Sequence, residues 1–366
     1  MRKGLGICCL LLAAAMLLCA CSTNKDEETQ AVPCIYWTVS ENRAAEMQSL
    51  SEAYNAMHPD TPIALQTTVF RSDQIDDRLW TLLHSGVLER NDDVPDLVDV
   101  AYPDVEKYVS PLSCLLYPLD EMRVAAESAG VNGEIFEAFT YRNVCFGMPY
   151  GSGCMRLVFR AELLAAYDIV PEKLKTWKDF RAAGERYHDA SGRYLLSVDM
   201  DDYLLFLTLL LQNAGTERIS QTHYEQTLLQ IQQMYRSGAL TIMPGGHYDS
   251  KSFLQAFAEG EIACVLLPES EVTNFMAICG DVPDLSSCAI PEQAVSIPAY
   301  AAAIPTAAKN YLVMQDFLNF VATAAGSPLL VQTNHMGALP VRNAEQTGVY
   351  LSNYKLELAR LLLQQS

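Results

Sequence analysis

Eleven cysteines, six histidines and 44 carboxylates are the side chains of this 366-residue chain able to hold a metal, carry a nucleophile or move a proton. Their spacing builds no familiar centre. The histidines (58, 84, 188, 223, 247 and 335) are scattered, and none makes HxxxH or a Cys/His ligand pattern, so neither a metal nor a cofactor is expected. The chain also lacks a GxSxG elbow, a Walker loop, GxGxxG after a strand and HExxH. Carboxylates are numerous enough for two to fall by chance at the roughly 5–9.5 Å of a glycosidase pair, but no motif singles out any two. An enzyme is not expected.

Cysteine chemistry points elsewhere. Residues 1–21 combine a basic start (Arg2, Lys3), an apolar run from Leu5 to Leu18 and the segment Leu18-Cys19-Ala20-Cys21. Leu18 and Ala20 stand three and one before Cys21, which resembles the bacterial lipobox, with Cys19 at the permissive middle position. The apolar run falls short of the ~20 residues that span a bilayer. The leader is therefore read as a lipoprotein signal peptide and Cys21 as the lipidated residue, since two acyl chains suffice for stable anchoring. The expected location is the extracellular face of the cell membrane. Cys34, Cys114, Cys145, Cys154, Cys264, Cys279 and Cys288 remain, an odd number without CxxC, and their pairing is open.

The formal charge is −19, and removing Arg2 and Lys3 with the leader leaves 23 basic against 44 acidic side chains, or −21. This argues against nucleic acid as a partner and against an electrostatic grip on anionic lipid beyond the anchor. Half of the residues are apolar, and single cores stop growing at roughly 250–300 residues, so two lobes are expected.

Residues 22–33 are polar and aperiodic and read as a flexible tether. Beyond them, strands over 34–39, 63–69 and 96–101 alternate with helices over 41–57 and 73–85, a βαβαβ unit that implies a parallel sheet. A second block has strands over 155–160, 195–198 and 261–267 and helices over 177–188, 203–213, 221–236 and 252–258. A strand over 299–304 and helices over 310–322 and 355–363 follow. The nine-residue run YLLFLTLLL from Tyr203 is bracketed by polar residues and reads as a buried helix.

Several segments, in order, resemble the family 1 extracellular solute-binding proteins of ABC importers. They are Tyr54-Asn55-Ala56-Met57-His58-Pro59; Pro95-Asp96-Leu97-Val98; Gly147-Met148-Pro149-Tyr150 before Leu157-Val158-Phe159-Arg160; Thr176-Trp177-Lys178-Asp179-Phe180; Phe257-Ala258-Glu259-Gly260-Glu261-Ile262-Ala263; Ile304-Pro305 with Lys309-Asn310; and Gly337-Ala338-Leu339-Pro340-Val341-Arg342. The resemblance implies an α/β, two-lobed periplasmic-binding-protein (Venus flytrap) fold with interlobe hinge strands. The first lobe would comprise residues 34–150 plus 300–325, and the second 151–299 plus 326–366. It further implies a monomeric, lipid-anchored protein that takes a small solute, a carbohydrate, into an interlobe cleft by hinge closure and delivers it to an ABC transporter permease. The alternative is a solute-sensing or docking lipoprotein not coupled to transport.

On that fold, ligands sit beyond the carboxyl ends of the strands. This selects Glu41, Arg71, Tyr102 and Asp104 from the first lobe, Tyr150, Ser152 and Tyr300 at the crossings, and Tyr203 and Glu269 from the second. Carboxylates and arginine bind vicinal hydroxyls, and tyrosine covers the C–H face of a sugar. Glu41 and Asp104 also stand where helices begin, where acidic residues are favoured without a ligand. The family's oligosaccharide binders usually bring tryptophans from the second lobe, where this chain has Pro268-Glu269-Ser270. Its only tryptophans are Trp37, Trp80 and Trp177. A small sugar or another small polar solute is thus expected rather than an oligosaccharide.

Overall fold

The computed structural model describes residues 32–89, 94–102, 105–110, 114–131, 133–150, 154–200, 202–297, 300–323, 339–340 and 344–363. Cys21, Asp104 and Ser152 lie outside the described residues. The main elements run in the order β1 (Val32–Thr38), α1 (Glu41–Met57), β2 (Ile63–Val69), α2 (Ser72–Glu89), β3 (Leu97–Ala101), β4 (Met148–Pro149), β5 (Met155–Arg160), α3 (Trp177–Ser191) and β6 (Leu196–Val198). There follow α4 (Leu204–Ala214), α5 (Gln221–Arg236), β7 (Leu240–Ile242), α6 (Lys251–Glu259), β8 (Cys264–Pro268), α7 (Glu269–Cys279), β9 (Leu285–Ala289), β10 (Tyr300–Ala303), α8 (Tyr311–Thr323) and α9 (Ala344–Leu363).

The first lobe is built on a five-stranded sheet of order β2-β1-β3-β10-β4. β1 runs parallel to both β2 and β3, as the βαβαβ pattern implies, while β10 returns late in the chain and pairs antiparallel with β3 and β4. Cys34, Tyr36 and Thr38 alternate into the interior along β1, the period of a strand. With Met47 and Tyr54 of α1 and Met314, Phe317 and Leu318 of α8, Cys34 and Tyr36 form the core on one side of the sheet.

In the second lobe, β8 and β9 both pair antiparallel with β5. The parallel pair β6 and β7 joins them through the bridge between Tyr194 and Ile262. α3 starts in a reciprocal capping box between Thr176 and Asp179 and ends on the left-handed Gly192 (φ 69°). Its first residue, Trp177, is buried, and its Nε1–H donates to Gln212 Oε1 at 2.6 Å, which makes it an anchor of helix packing. Every residue of α4 from Leu204 to Leu211 is buried, so an all-apolar surface is satisfied inside the lobe. No helix among the described residues is long and apolar enough to cross a membrane. Cys34, Cys114, Cys145, Cys154, Cys264, Cys279 and Cys288 are all free thiols.

Candidate functional site

The C-terminal ends of β1, β3 and β8, the crossing strands β4 and β10 and the segment before α6 converge between the lobes. Two helices that leave those strands carry the charges. α1 begins at Ser40, whose backbone is extended (φ −144°) and whose hydroxyl accepts from the Arg43 N–H at 3.2 Å. α7 follows β8 directly at Pro268, with the Glu269 N–H donating to the Cys154 carbonyl at 3.1 Å. Arg43 and Glu271 thus each occupy the third position of their helix, and they meet across the cleft with Nη2 to Oε1 at 2.7 Å.

This pair is shielded from water, with 4% and 2% of the respective side chains exposed. The Arg43 guanidinium lies 4.7 Å from the centre of the Tyr300 ring and 5.4 Å from that of Tyr150, both within cation–π range. The Tyr248 hydroxyl donates to the other Glu271 oxygen at 3.2 Å. Arg43 Nε and Nη1 are buried without a hydrogen-bond partner among the described residues. A cation in the first turn opposes the helix dipole, whereas Glu271 in the corresponding place favours it. Arg43 is therefore held by its partners across the cleft rather than by its own helix.

Beneath Arg43 lies Asp99, the one charged residue of β3 and almost fully buried. It accepts from the Tyr36 hydroxyl at 2.9 Å, from Thr38 Oγ1 at 2.5 Å and from the Tyr150 hydroxyl. The Tyr36 and Tyr150 hydroxyls also contact one another. Burial, reinforced by Glu271, pushes the Asp99 carboxyl up to about 7, against the opposing pull of Arg43, Thr38 and the Val39 backbone. On the second-lobe side, burial and the charge of Asp199 push Asp202 up to about 6, although the Leu204 N–H and His247 work the other way. Burial acts to lower His247, but its 2.6 Å hydrogen bond to Asp249 and the charges of Asp249, Asp202 and Asp199 outweigh it and raise the net value. Burial above all raises the Tyr150, Tyr248 and Tyr300 phenols, so they act as neutral donors.

The space left between these groups is a cavity of ≈ 40 Å³ lined by Asp202, Tyr203, Leu204, His247, Tyr248, Pro268, Glu271 and Tyr300. That is on the scale of one water molecule, whose share of the liquid is about 30 Å³. A larger hollow of ≈ 670 Å³ is lined by Arg193, Tyr194, Thr241, Met243, Glu259 and Glu261, among others. Arg193 and Tyr194 lead into β6 and Glu261 towards β8, whereas Met243 leaves β7.

Of the residues expected from the sequence, Tyr150, Tyr203 and Tyr300 belong to this constellation. Tyr102 is buried with its ring 5.6 Å from Tyr203, edge to face, and so forms its flank. Glu41 and Glu269 are exposed in the first turns of α1 and α7, where acidic side chains suit the helix dipole, and Arg71 is exposed. None of these three lines the cavity. Arg43, Asp99, Tyr248 and Glu271 were not foreseen. Only Asp99 carries a sequence signal, a charge inside the apolar strand Leu97–Ala101. Among the described residues, no group of three or more His, Cys, Asp or Glu side chains could hold a metal ion.

This architecture is the two-lobed fold of the solute-binding proteins of ABC transporters. The chain superposes on the GacH receptor of Streptomyces glaucescens, solved unliganded and with acarbose, with TM-score 0.65 and 15% identity over 92% of this chain and 94% of that one. It also matches the galacto-N-biose/lacto-N-biose I-binding protein of an ABC transporter from Bifidobacterium longum, with TM-score 0.60 and 17% identity over 84% and 79% of the two chains. Among curated sequences it is similar to the arabinooligosaccharide-binding protein of Bacillus subtilis, 20% identical over 326 residues, which are 85% of this chain and 74% of that protein. Two further curated relatives are matched over 58% and 46% of their length. No protein-family model matches the chain. The resemblance read from the ordered motifs is thus met again over most of the chain.

Proposed function

We propose that this chain captures a carbohydrate in the cleft between its lobes by hinge closure, and hands it to the permease of an ABC transporter at the outer face of the membrane. The wall of the cleft carries the reading. Glu271 and Asp202, with Arg43 held on Glu271, supply charge-assisted partners for hydroxyl groups beside Tyr203, Tyr248 and Tyr300, a combination that suits a polyol with a C–H face. The relatives support it, since their names and ligands are saccharides: arabino-oligosaccharide, acarbose and lacto-N-biose. They are binding proteins, and we assign no catalytic step to this site. The motif ending at Cys21 and the polar stretch 22–33 support an acylated anchor with a tether, which would hold the solute trap within reach of its permease.

The test is thermal unfolding of the purified protein with arabinose, lactose, arabinotriose, maltotriose and acarbose. A bound solute at 100 times its dissociation constant adds about 2.7 kcal/mol of stability, so one class should raise the melting temperature in a saturable way. No shift with any of these compounds contradicts the carbohydrate assignment. Incorporation of a labelled fatty acid into wild type but not into Cys21→Ala is expected; no incorporation into wild type would contradict the anchor.

A further inference from the structure

The lobes touch through a charged contact that stands where the solute would go. Arg43 belongs to the lobe of the five-stranded sheet and Glu271 to the lobe of β5, β8 and β9, and their 2.7 Å ion pair bridges the two. Glu271 lines the ≈ 40 Å³ cavity, whereas small-molecule pockets occupy roughly 300–1,000 Å³. A saccharide therefore does not fit with the pair joined. We propose that Arg43 and Glu271 form an interlobe latch that must part for a solute to enter, and that the solute binds by insertion between the two charges. What displaces the latch rests on the carbohydrate reading above; the latch itself does not.

Three features support a contact that exchanges rather than one that only stabilises. First, each charge is almost fully desolvated, a cost that the Coulombic gain repays only when the remaining hydrogen-bonding groups are also satisfied. Here Arg43 Nε and Nη1 have no hydrogen-bond partner among the described residues, so three of the five guanidinium N–H groups find none there. A ligand with several acceptor oxygens could meet them. Second, both residues sit at helix N-termini directly after strands, so separating the lobes returns each charge to water without unfolding either sheet. Third, each charge keeps a partner in its own lobe after separation: Tyr150 and Tyr300 lie against Arg43, and Tyr248 hydrogen-bonds Glu271. The insertion also sets a chemical preference. A neutral ligand can accept from Arg43 and donate to Glu271 at once, whereas a purely anionic ligand leaves Glu271 facing like charge.

The proposal is tested without any added solute, by small-angle X-ray scattering of the purified wild-type protein, Glu271→Gln and Arg43→Lys. Removing the Glu271 charge takes from the buried guanidinium its hydrogen-bonded counter-ion and leaves it with Asp99 beneath, a loss that opening relieves. Glu271→Gln should therefore show a larger radius of gyration than wild type, and Arg43→Lys, which keeps the charge on a shorter reach, a smaller increase. The folded state is checked by the melting transition, and Arg43→Lys carries the test if Glu271→Gln does not fold. Scattering profiles that superimpose on wild type for every folded variant overturn the latch. A carbohydrate panel without effect would contradict the function and leave this result standing.

Discussion

Asp99 concentrates the electrostatics of the site in one carboxyl group. Its value in the folded protein, about 7, stands above the ordinary 3.8 because burial disfavours the anion. The folded state therefore binds the proton more tightly than the unfolded chain. Its stabilising contribution is full below about pH 4 and is lost as pH rises through 7. Asp202, raised to about 6, and His247, also raised, act in the same direction. Melting temperature should thus fall between about pH 4 and 7, and Asp99→Asn should flatten the decline without abolishing it; parallel wild-type and variant curves would contradict this. Asp99 is legible in the sequence, because a charge in the middle of an apolar strand demands a buried partner. Arg43 and Glu271 are not, since a charged residue in a helix's first turn has the same pattern whether it faces solvent or another lobe. Reading outward from strand ends reached Glu269, two residues short of the carboxylate that turns into the cleft.

The elements decide which side chains reach the cleft. α1 starts at Ser40, whose hydroxyl holds the Arg43 N–H at 3.2 Å and so fixes the turn that carries the guanidinium. Ser40→Ala should cost about 1 kcal/mol in urea unfolding, the usual loss of an N-cap. An unchanged midpoint would mean that α1 is placed by packing alone. Many elements are readable in the sequence: α1, β2, β5 and α5 span the residues expected from pattern and punctuation. α7 and β9 were missed. In α7 only Glu271 and Phe275 are fully buried, so there is no apolar stripe to read, and β9 shows little burial because it lies at the edge of its sheet. Pattern therefore assigns no element to the residues after β8, which is why the second-lobe half of the site is the less legible one.

At the scale of the whole molecule, β4 and β10 belong to the first lobe's sheet yet present Tyr150 and Tyr300 to the interlobe contact. Hinge motion about such crossings changes the cleft. The two lobes, foreseen from length and from the change of pattern after residue 150, follow from cores that a single sheet could not supply. The closed arrangement of the charges did not follow from sequence, because it depends on contacts between residues 228 positions apart. The most direct test of carbohydrate capture between the lobes is calorimetric titration of wild type and the double variant Tyr203→Ala, Tyr300→Ala with neutral di- and trisaccharides. The account predicts saturable single-site binding to wild type that the double variant loses while keeping a cooperative melting transition. Absence of binding to wild type, or equal affinity in the folded double variant, would contradict it.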